Sequence, residues 1–480
     1  MVCVFWQASL TRNHMDKKIY ATQTAHTQTG YASETYANLF SFFMPEYITS
    51  LVLYSLPFIL DAYFIGCLKS TQAYGTLCAS NSLFHFLIKA AEAVSVSTII
   101  LTGRSNGQGD VQQAGRVLRD AFWVTAMLGS IIAIVLYIGA PVIYRWYVPE
   151  ELVAIGVPFL RLRALSVLFM FLFLAFVGFL RGVKNTQTPM RIFIIGTLVF
   201  IACDYLFIFG GFGIPPLGLR GSALASVVQY AVMFCIALVR VLYGNKYQKY
   251  NVNFFSIMRE PMQWRAIVRL SIPVLIDKAT MAFAYIWLLK MIRPLGVKGV
   301  ATFGVIYEME RFALIPALAL AQVVTLLVSN DIGAKNWHGV LDTIKKIMIM
   351  ALGIVCMILI GLSIDPASIV RYVDGSHEFT PMAATIFPLL SVLALFDVLQ
   401  LVLSGALRGA ADVRTVMLVR SVVCILYFMP VSYVLSYMPI EDISLKFLLI
   451  YGSFYIGNAL MSIVYINRLR SDSWKVRIQA

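Results

Sequence analysis

Asp61, Asp204 and Ser226 stand inside long apolar stretches, at a similar depth and toward the same end of each. An ionisable group near a bilayer centre costs roughly 2.5–3.5 kcal/mol on insertion scales, so such a group is retained for function. A carboxylate shielded from water can hold a proton, because desolvation disfavours its charged form. Two carboxylates with a hydroxyl can instead coordinate a small cation. The chemistry expected of this trio is reversible binding of H⁺ or Na⁺. Asp61 has a second reading, in which it reaches out to the nearby interface.

Asn81, His85, Lys89 and Glu92 follow one another at helical spacing. At about 100° per residue they fall within about 80° of arc, and Ser95 widens the stripe to about 120°. The opposite face is apolar apart from Ser97. Such a stripe must face a cleft or another polar helix. It reads equally as cleft lining and as a structural Lys89–Glu92 pair at i,i+3 with His85 bridging. Further along, Asp277, Lys278 and Lys290 interrupt one apolar stretch, and Glu308, Glu310 and Arg311 interrupt the next. Glu308 and Arg311 suit an i,i+3 pair, which leaves Glu310 on another face. Asp397 has no basic residue within a turn on its own stretch, and Gln400 follows one turn on. Glu310, Asp397 and Gln400 therefore join the stripe as candidate substrate-cleft residues. Asp277 and Glu308 read as structural.

The composition says what must position these groups. The chain has 480 residues, 60% hydrophobic and 13% charged, with a mean hydropathy of +0.80. A soluble domain carries about 25% charge. An ordinary soluble enzyme and a disordered chain are both excluded, and most of the sequence belongs in a bilayer. The net charge of +14 does not point to nucleic acid, because Lys and Arg lie mainly between the apolar runs, as topology determinants do. The seven cysteines are scattered, with no CxxC or Cys/His spacing, so neither a metal site nor redox work is expected.

A spanning helix needs about 20 mainly apolar residues. Twelve candidates lie near 39–65, 74–102, 120–143, 157–180, 190–210, 219–243, 267–293, 299–328, 343–364, 381–407, 415–436 and 445–467. With the N-terminus inside, inner loops hold about three times as many Lys and Arg as outer ones, so both termini are expected in the cytoplasm of an inner-membrane protein. The expected organisation is a tail (1–38), a six-helix N-lobe (39–243), a polar linker (244–266), a six-helix C-lobe (267–467) and a basic tail (468–480). The short apolar start, Met1 to Leu10, lacks a basic flank and does not read as a signal peptide. Met15, before Asp16-Lys17-Lys18, reads as a start, with residues 1–14 an extension.

The two halves repeat. Gly178-Phe-Leu-Arg181-Gly182 with Thr188 and Met190 recurs as Gly405-Ala-Leu-Arg408-Gly409 with Thr415 and Met417, at a constant offset of 227. Gly107-Gln-Gly-Asp110 recurs as Gly333-Ala-Lys-Asn336 at offset 226, and Pro45 as Pro273 at 228. Six helices per repeat keep both halves in one orientation, related by an axis along the membrane normal with a cleft between them. That is a transporter plan. No GxxxxGK[ST] loop occurs, so energy must come from an ion gradient. The sequence shows neither the nucleophile nor the metal cluster that a membrane enzyme would need.

Five segments together resemble the multidrug and toxic compound extrusion (MATE) family, over about residues 39–467. They are Asp61-Ala-Tyr-Phe-Ile-Gly66, Gly107-Gln-Gly-Asp110, Leu180-Arg-Gly182 with Pro189-Met190, Asp204 to Gly210 with Gly218 to Ser226, and Asp397-Val-Leu-Gln400 with Gly405 to Gly409. The Asp at 204 resembles the DNA-damage-inducible branch of prokaryotic members. The resemblance implies an all-α polytopic protein of twelve transmembrane helices in two pseudo-symmetric six-helix lobes. It implies an antiporter for multidrug efflux and xenobiotic transport. Organic, cationic compounds would leave in exchange for H⁺ or Na⁺. Asp61, Asp204 and Ser226 would form the ion-coupling site, Asp397 would act in the C-lobe, and Glu310 looks like an acid of the eighth helix common in prokaryotic members. Phe200 departs from the pattern, standing where an Asn is expected one turn before Asp204, and Met281 stands at an acid of some members. The alternative is a flippase of the same superfamily for a lipid-linked saccharide, its anionic cargo held by Lys89, Lys278, Lys290 and Arg311. Expected partners are a small-molecule substrate and membrane lipid, with no nucleic acid, the protein working as a monomer. No cofactor beyond the coupling ion and no catalytic residue is expected.

Overall fold

The structure, a computed structural model, describes residues 34–54, 56–147, 150–254, 263–374 and 378–471. Residues 1–33, with the tail's proposed start, and most of the basic C-terminal tail lie outside it. Among the described residues the fold is helical throughout. In chain order the helices are α1 (Tyr36–Tyr54), α2 (Leu56–Cys67), α3 (Thr71–Gly107), α4 (Val111–Tyr147), α5 (Glu150–Gly182), α6 (Gln187–Phe209), α7 (Leu219–Tyr243) and α8 (Trp264–Ile292). There follow α9 (Gly296–Gly333), α10 (Trp337–Ile364), α11 (Pro366–Val373), α12 (Thr380–Gly409), α13 (Val413–Val423), α14 (Met429–Tyr437) and α15 (Ile443–Arg470). Lipid offers no hydrogen bonds, so a crossing segment must satisfy its backbone internally, and the helix does so.

Twelve crossings result. The first is formed by α1 and α2 together. The eleventh is α13 and α14 joined by a π-turn at Cys424–Phe428. That turn precedes Pro430, which has no N–H to donate, and a wider turn accommodates such a loss. Short α11 is a surface helix that hydropathy did not anticipate.

The repeated motifs are packing and capping devices. In α5, Gly178 and Gly182 rest on Ser95, Thr98 and Thr102 of α3. In α12, Gly405 and Gly409 rest on Ala321, Val324, Thr325 and Val328 of α9. A side chain at any of these glycines would collide with the neighbouring helix, and small residues let membrane helices approach closely. Asp110 accepts the backbone N–H of Gln113 at 2.9 Å, and its repeat mate Asn336 accepts that of Gly339 at 3.0 Å. Each caps the start of the next helix.

Two hydrophobic cores form, one among α3–α7 and one among α8–α15. Leu39 and Phe43 of α1 belong to the second core, so the first helix reaches across to the other lobe. The segment after α7 is not a free linker. Tyr247, Tyr250 and Phe254 are buried in the first core, and Asn185 donates to the Tyr247 hydroxyl at 2.6 Å. Residues 255–262 lie outside the described chain.

The lobes meet where the C-terminal ends of α3 and α9 cross. Gly107 packs on the Asn330 backbone and Gly333 on the Arg104 backbone, a reciprocal contact between repeat mates. Asn106 donates to Asn330 Oδ1 at 2.7 Å, Asn330 to the Gly182 carbonyl at 2.9 Å, and Arg104 to the Ala410 carbonyl at 3.0 Å. All these contacts sit at the end of the bundle where the described chain begins and ends. Several charges expected in loops are structural here. Arg119 is 1% exposed and donates to Asp120, and Arg104 and Arg181 are also engaged.

Candidate functional site

Each lobe is braced by a buried ion pair whose arginines are repeat mates. Arg181, at the end of α5, donates through Nε and Nη2 to the two oxygens of Glu46 in α1, at 2.8 and 2.6 Å. Arg408, at the end of α12, donates to Asp277 of α8 at 2.6 Å, and Arg420 of α13 donates to its other oxygen. Glu46 follows Pro45, and Asp277 lies one turn after Pro273. Asp277 is thus structural, as expected from the sequence. Glu46 and Arg420 were missed, although both stand inside apolar stretches.

The N-lobe holds a cavity of mixed character, walled by the polar Asp61, Arg163, Ser166, Thr197, Ser226, Gln229 and Tyr230 and by as many apolar residues, Phe84, Phe193, Phe200 and Met233 among them. The space open to the centre of a water molecule is about 30 Å³, room for two waters or so. An organic compound does not fit. Asp61 is buried and its Oδ1 accepts the Ser222 hydroxyl at 2.6 Å. Ser222, not the expected Ser226, is therefore the hydroxyl that holds Asp61, while Ser226 lines the cavity one turn on. Asp204 is fully buried, and among the described residues neither of its oxygens has a hydrogen-bond partner. It stands outside the cavity lining but within electrostatic range of Asp61 and Arg163.

Arg163 is a third residue that sequence reasoning missed. It lies six residues inside the span expected at 157–180, where a charge needs a reason. Its guanidinium donates to Asn81 Oδ1 at 2.7 Å and stacks over the Phe84 ring, 4.4 Å from the centroid. Asn81, half-buried, is thereby tied to α5 of its own lobe.

The rest of the stripe faces the other lobe. Glu92 Oε2 lies 3.5 Å from Lys89 Nζ and 2.7 Å from Lys278 Nζ of α8. The expected Lys89–Glu92 pair forms, and Lys278 joins it across the lobes. His85 lies within electrostatic range of Lys89, Arg163 and Arg311. Arg311 pairs with Glu308 at 3.1 Å, as the spacing suggested.

Glu310, Asp397 and Gln400, expected in the substrate cleft, lie deeper than the stripe. All three are buried inside the C-lobe. Glu310 accepts the Tyr451 hydroxyl, and Asp397 accepts the Asn458 amide at 3.1 Å. Both partners stand on α15, whose Tyr451 and Tyr455 make that interior aromatic. Among the described residues no cluster of His, Cys, Asp and Glu fits a metal ion.

A helical, multi-pass membrane protein of two repeated lobes, with buried carboxylates and a cleft, is built as a transporter of small molecules and not as an enzyme. The MatE family model matches residues 47–206 and 273–434, about two thirds of the sequence, and the chain belongs to that family of multidrug efflux transporters. The "Probable multidrug resistance protein YoeA" of Bacillus subtilis is 26% identical over 314 residues, 64% of this chain and 66% of that protein. The "Probable multidrug resistance protein NorM" of Bacillus cereus is 22% identical over 405 residues, 82% and 87% of the two chains. A crystal structure of MATE in the bent conformation superposes with a TM-score of 0.83 at 17% identity, over 92% of this chain and 97% of that one. The fold is thus the MATE fold. The flippase alternative is not favoured by these relatives, and Lys290, one of its expected ligands, stacks instead over Trp287 at 5.3 Å.

Proposed function

We propose that the protein is a secondary antiporter of the inner membrane that exports organic compounds in exchange for protons, with both termini in the cytoplasm and the N-lobe cavity as its coupling site. The observation that carries this is the charge count around Asp204. Two buried carboxylates, Asp61 and Asp204, face one permanent cation, Arg163. One negative charge is left uncompensated in a low-dielectric interior, which is costly unless a counter-charge arrives. The cavity has room for a proton or a small ion and no room for cargo. Arg163 repels a metal cation, and Phe200 offers the wall no oxygen, so a proton suits the site better than Na⁺.

Cargo and ion then compete through conformation and not through contact. The lobes are closed on the terminal side by the α3–α9 crossing, so the cleft faces outward. A ligand shifts such an equilibrium only by its differential affinity for the two states. The protein works as a monomer in this reading, because each chain carries both lobes and its own cleft.

The test is dye transport in proteoliposomes under an imposed pH gradient and, separately, a Na⁺ gradient. Proton-driven movement lost in Asp204→Asn is the expected result. Movement driven by Na⁺ alone would replace the ion, and equal transport by Asp204→Asn would remove the site from the mechanism.

A further inference from the structure

On the terminal side of the bundle the two lobes finish their sixth helices differently. In the C-lobe, Asp412 holds Arg468 of the last turn of α15 at 2.7 Å, and the Thr415 hydroxyl donates to the same carboxylate at 2.8 Å. At the repeat offset of 227, the N-lobe has Asn185 and Thr188 in their places. Its last-turn arginine is Arg240 of α7. Asn185 carries no charge, and its amide is already engaged. It donates to the Tyr247 hydroxyl at 2.6 Å and accepts the Thr188 N–H at 3.0 Å. Arg240 thus lacks the acid that its counterpart has.

Arg240 opens instead on a basin of about 500 Å³ between the start of α6 and the end of α7. Small-ligand sites span roughly 300–1,000 Å³. Arg191, Lys246 and Tyr243 line it with Arg240, and Asn185 and Tyr247 close its inner side. No Asp or Glu is in the lining. Between Glu151 and Glu260 the sequence holds one acid, Asp204, and that lies near the opposite end of α6. Arg191, Arg240 and Lys246 are exposed. Among the described residues their side chains have neither an ion pair nor a hydrogen bond. Three cations around one concavity, with no acid between them, attract an anion.

The anion's surroundings follow from where the basin lies. It sits where two crossing helices leave the membrane, on the side where Lys184 meets Glu34 at 3.0 Å. Arg191 shares a helix face with Ile195 and Leu198, at i+4 and i+7, and both are exposed. Tyr243 shares one with exposed Val239, four residues before it. Tyrosine at a span's end is suited to the headgroup level. Two guanidinium forks fit the oxygens of a phosphate, and basic pockets between crossing helices on the cytoplasmic side suit anionic headgroups.

We infer that this basin is a phospholipid site, the phosphate of an anionic headgroup seated between Arg191 and Arg240 with Lys246 beside it, and the acyl chains along the apolar faces of α6 and α7. The site does not depend on the antiporter reading, which only names the leaflet.

Native mass spectrometry of the full chain, released from detergent micelles, reads the bound lipid directly. The probes are dioleoyl phosphatidylglycerol, a monoanion, and dioleoyl phosphatidylcholine, a zwitterion with the same chains, at equal concentration. The anionic lipid is retained about tenfold better than the zwitterion. Arg191→Gln with Arg240→Gln brings the two lipids level, and both side chains are exposed, so the fold is not endangered. Arg220→Gln removes the same charge from the exposed first turn at the opposite end of α7, and leaves the preference intact. Asn185→Asp gives Arg240 the acid that Arg468 has, and lowers retention of the anionic lipid several-fold with all three cations in place. Equal retention of the two lipids by the unaltered chain overturns the assignment, as does a loss in Arg220→Gln as large as that in the double variant. Inorganic phosphate in large excess leaves the lipid bound. Displacement by it would make free phosphate the ligand and remove the lipid.

Discussion

The two lobes share a scaffold and differ in what they enclose. In both, glycines of the fourth helix sit on the second, an Arg at the end of the fourth helix pairs with a carboxylate of the first, and an Asp or Asn caps the third. Inside, the N-lobe sets Asp61 and Arg163 on a small cavity, with Asp204 outside its lining and, among the described residues, without a hydrogen bond. The C-lobe gives Glu310 a tyrosine hydroxyl and Asp397 an amide, and commits Arg420 to Asp277. A buried carboxylate that is already hydrogen-bonded gains less from a new partner than one that is not. In the antiporter proposed above, this difference makes the N-lobe the place for a proton and the C-lobe the frame against which it acts.

The bracing pairs give the largest effect that can break this comparison. Removing one partner of a buried ion pair leaves an uncompensated charge and costs about 3–5 kcal/mol. Glu46→Gln strands one guanidinium, that of Arg181, whereas Asp277→Asn strands two, Arg408 and Arg420. Thermal unfolding in detergent is expected to show both variants destabilised, Asp277→Asn the more. Equal losses would mean that Arg420 does not depend on Asp277 and is available to the C-lobe carboxylates. The contrast between the lobes would then weaken.

Transport comes next. Asp204→Asn is expected to lower proton-driven efflux about a hundredfold, roughly 2.7 kcal/mol in transition-state terms. Asp397→Asn keeps an amide that can still meet Asn458, and is expected to lower efflux less than about tenfold, roughly 1.4 kcal/mol. Initial rates at matched protein density in proteoliposomes decide it. An Asp397→Asn loss as deep as that of Asp204→Asn would place coupling in both lobes.

How much of this was legible without coordinates varies by residue. The twelve spans and the repeat were legible because hydrophobic runs and fixed offsets are one-dimensional signals. Asp61 and Asp204 stood out because a lone carboxylate in an apolar run is costly. Arg163 and Arg420 carried the same signal, but were passed over in the search for groups that bind cations. Arg181 and Arg408 were read as loop charges, since a charge at a helix end is ordinary. Their partners Glu46 and Asp277 are more than a hundred residues away in sequence, and no local pattern reports such a pair. Depth was legible but direction was not. Asn81 and His85 share a helix face, yet a small turn of that face sends Asn81 to Arg163 and leaves Glu92 to Lys278. The bonds of Glu310 to Tyr451 and of Asp397 to Asn458 are illegible for the same reason, because a sequence does not show which neighbour a polar face meets.

The smallest effect tests the part of the comparison where the lobes are alike. Gly107 and Gly333 are repeat mates, and each lies against the backbone of the other lobe's crossing helix. A methyl group at either has nowhere to go except by parting the helices, and overpacking of this kind costs about 1–3 kcal/mol. The cost falls on the closed state alone, because the contact exists only where the lobes meet. Gly107→Ala and Gly333→Ala are therefore expected to shift the population toward opening on the terminal side, and by similar amounts, since the crossing is reciprocal. Spin labels on α3 and α9 near the crossing read the distance directly. A shift in one variant and not the other would show that the pseudo-symmetry of the scaffold stops short of the interface. No shift in either would show that the Asn106–Asn330 and Arg104–Ala410 bonds, and not the glycine contact, hold the lobes together.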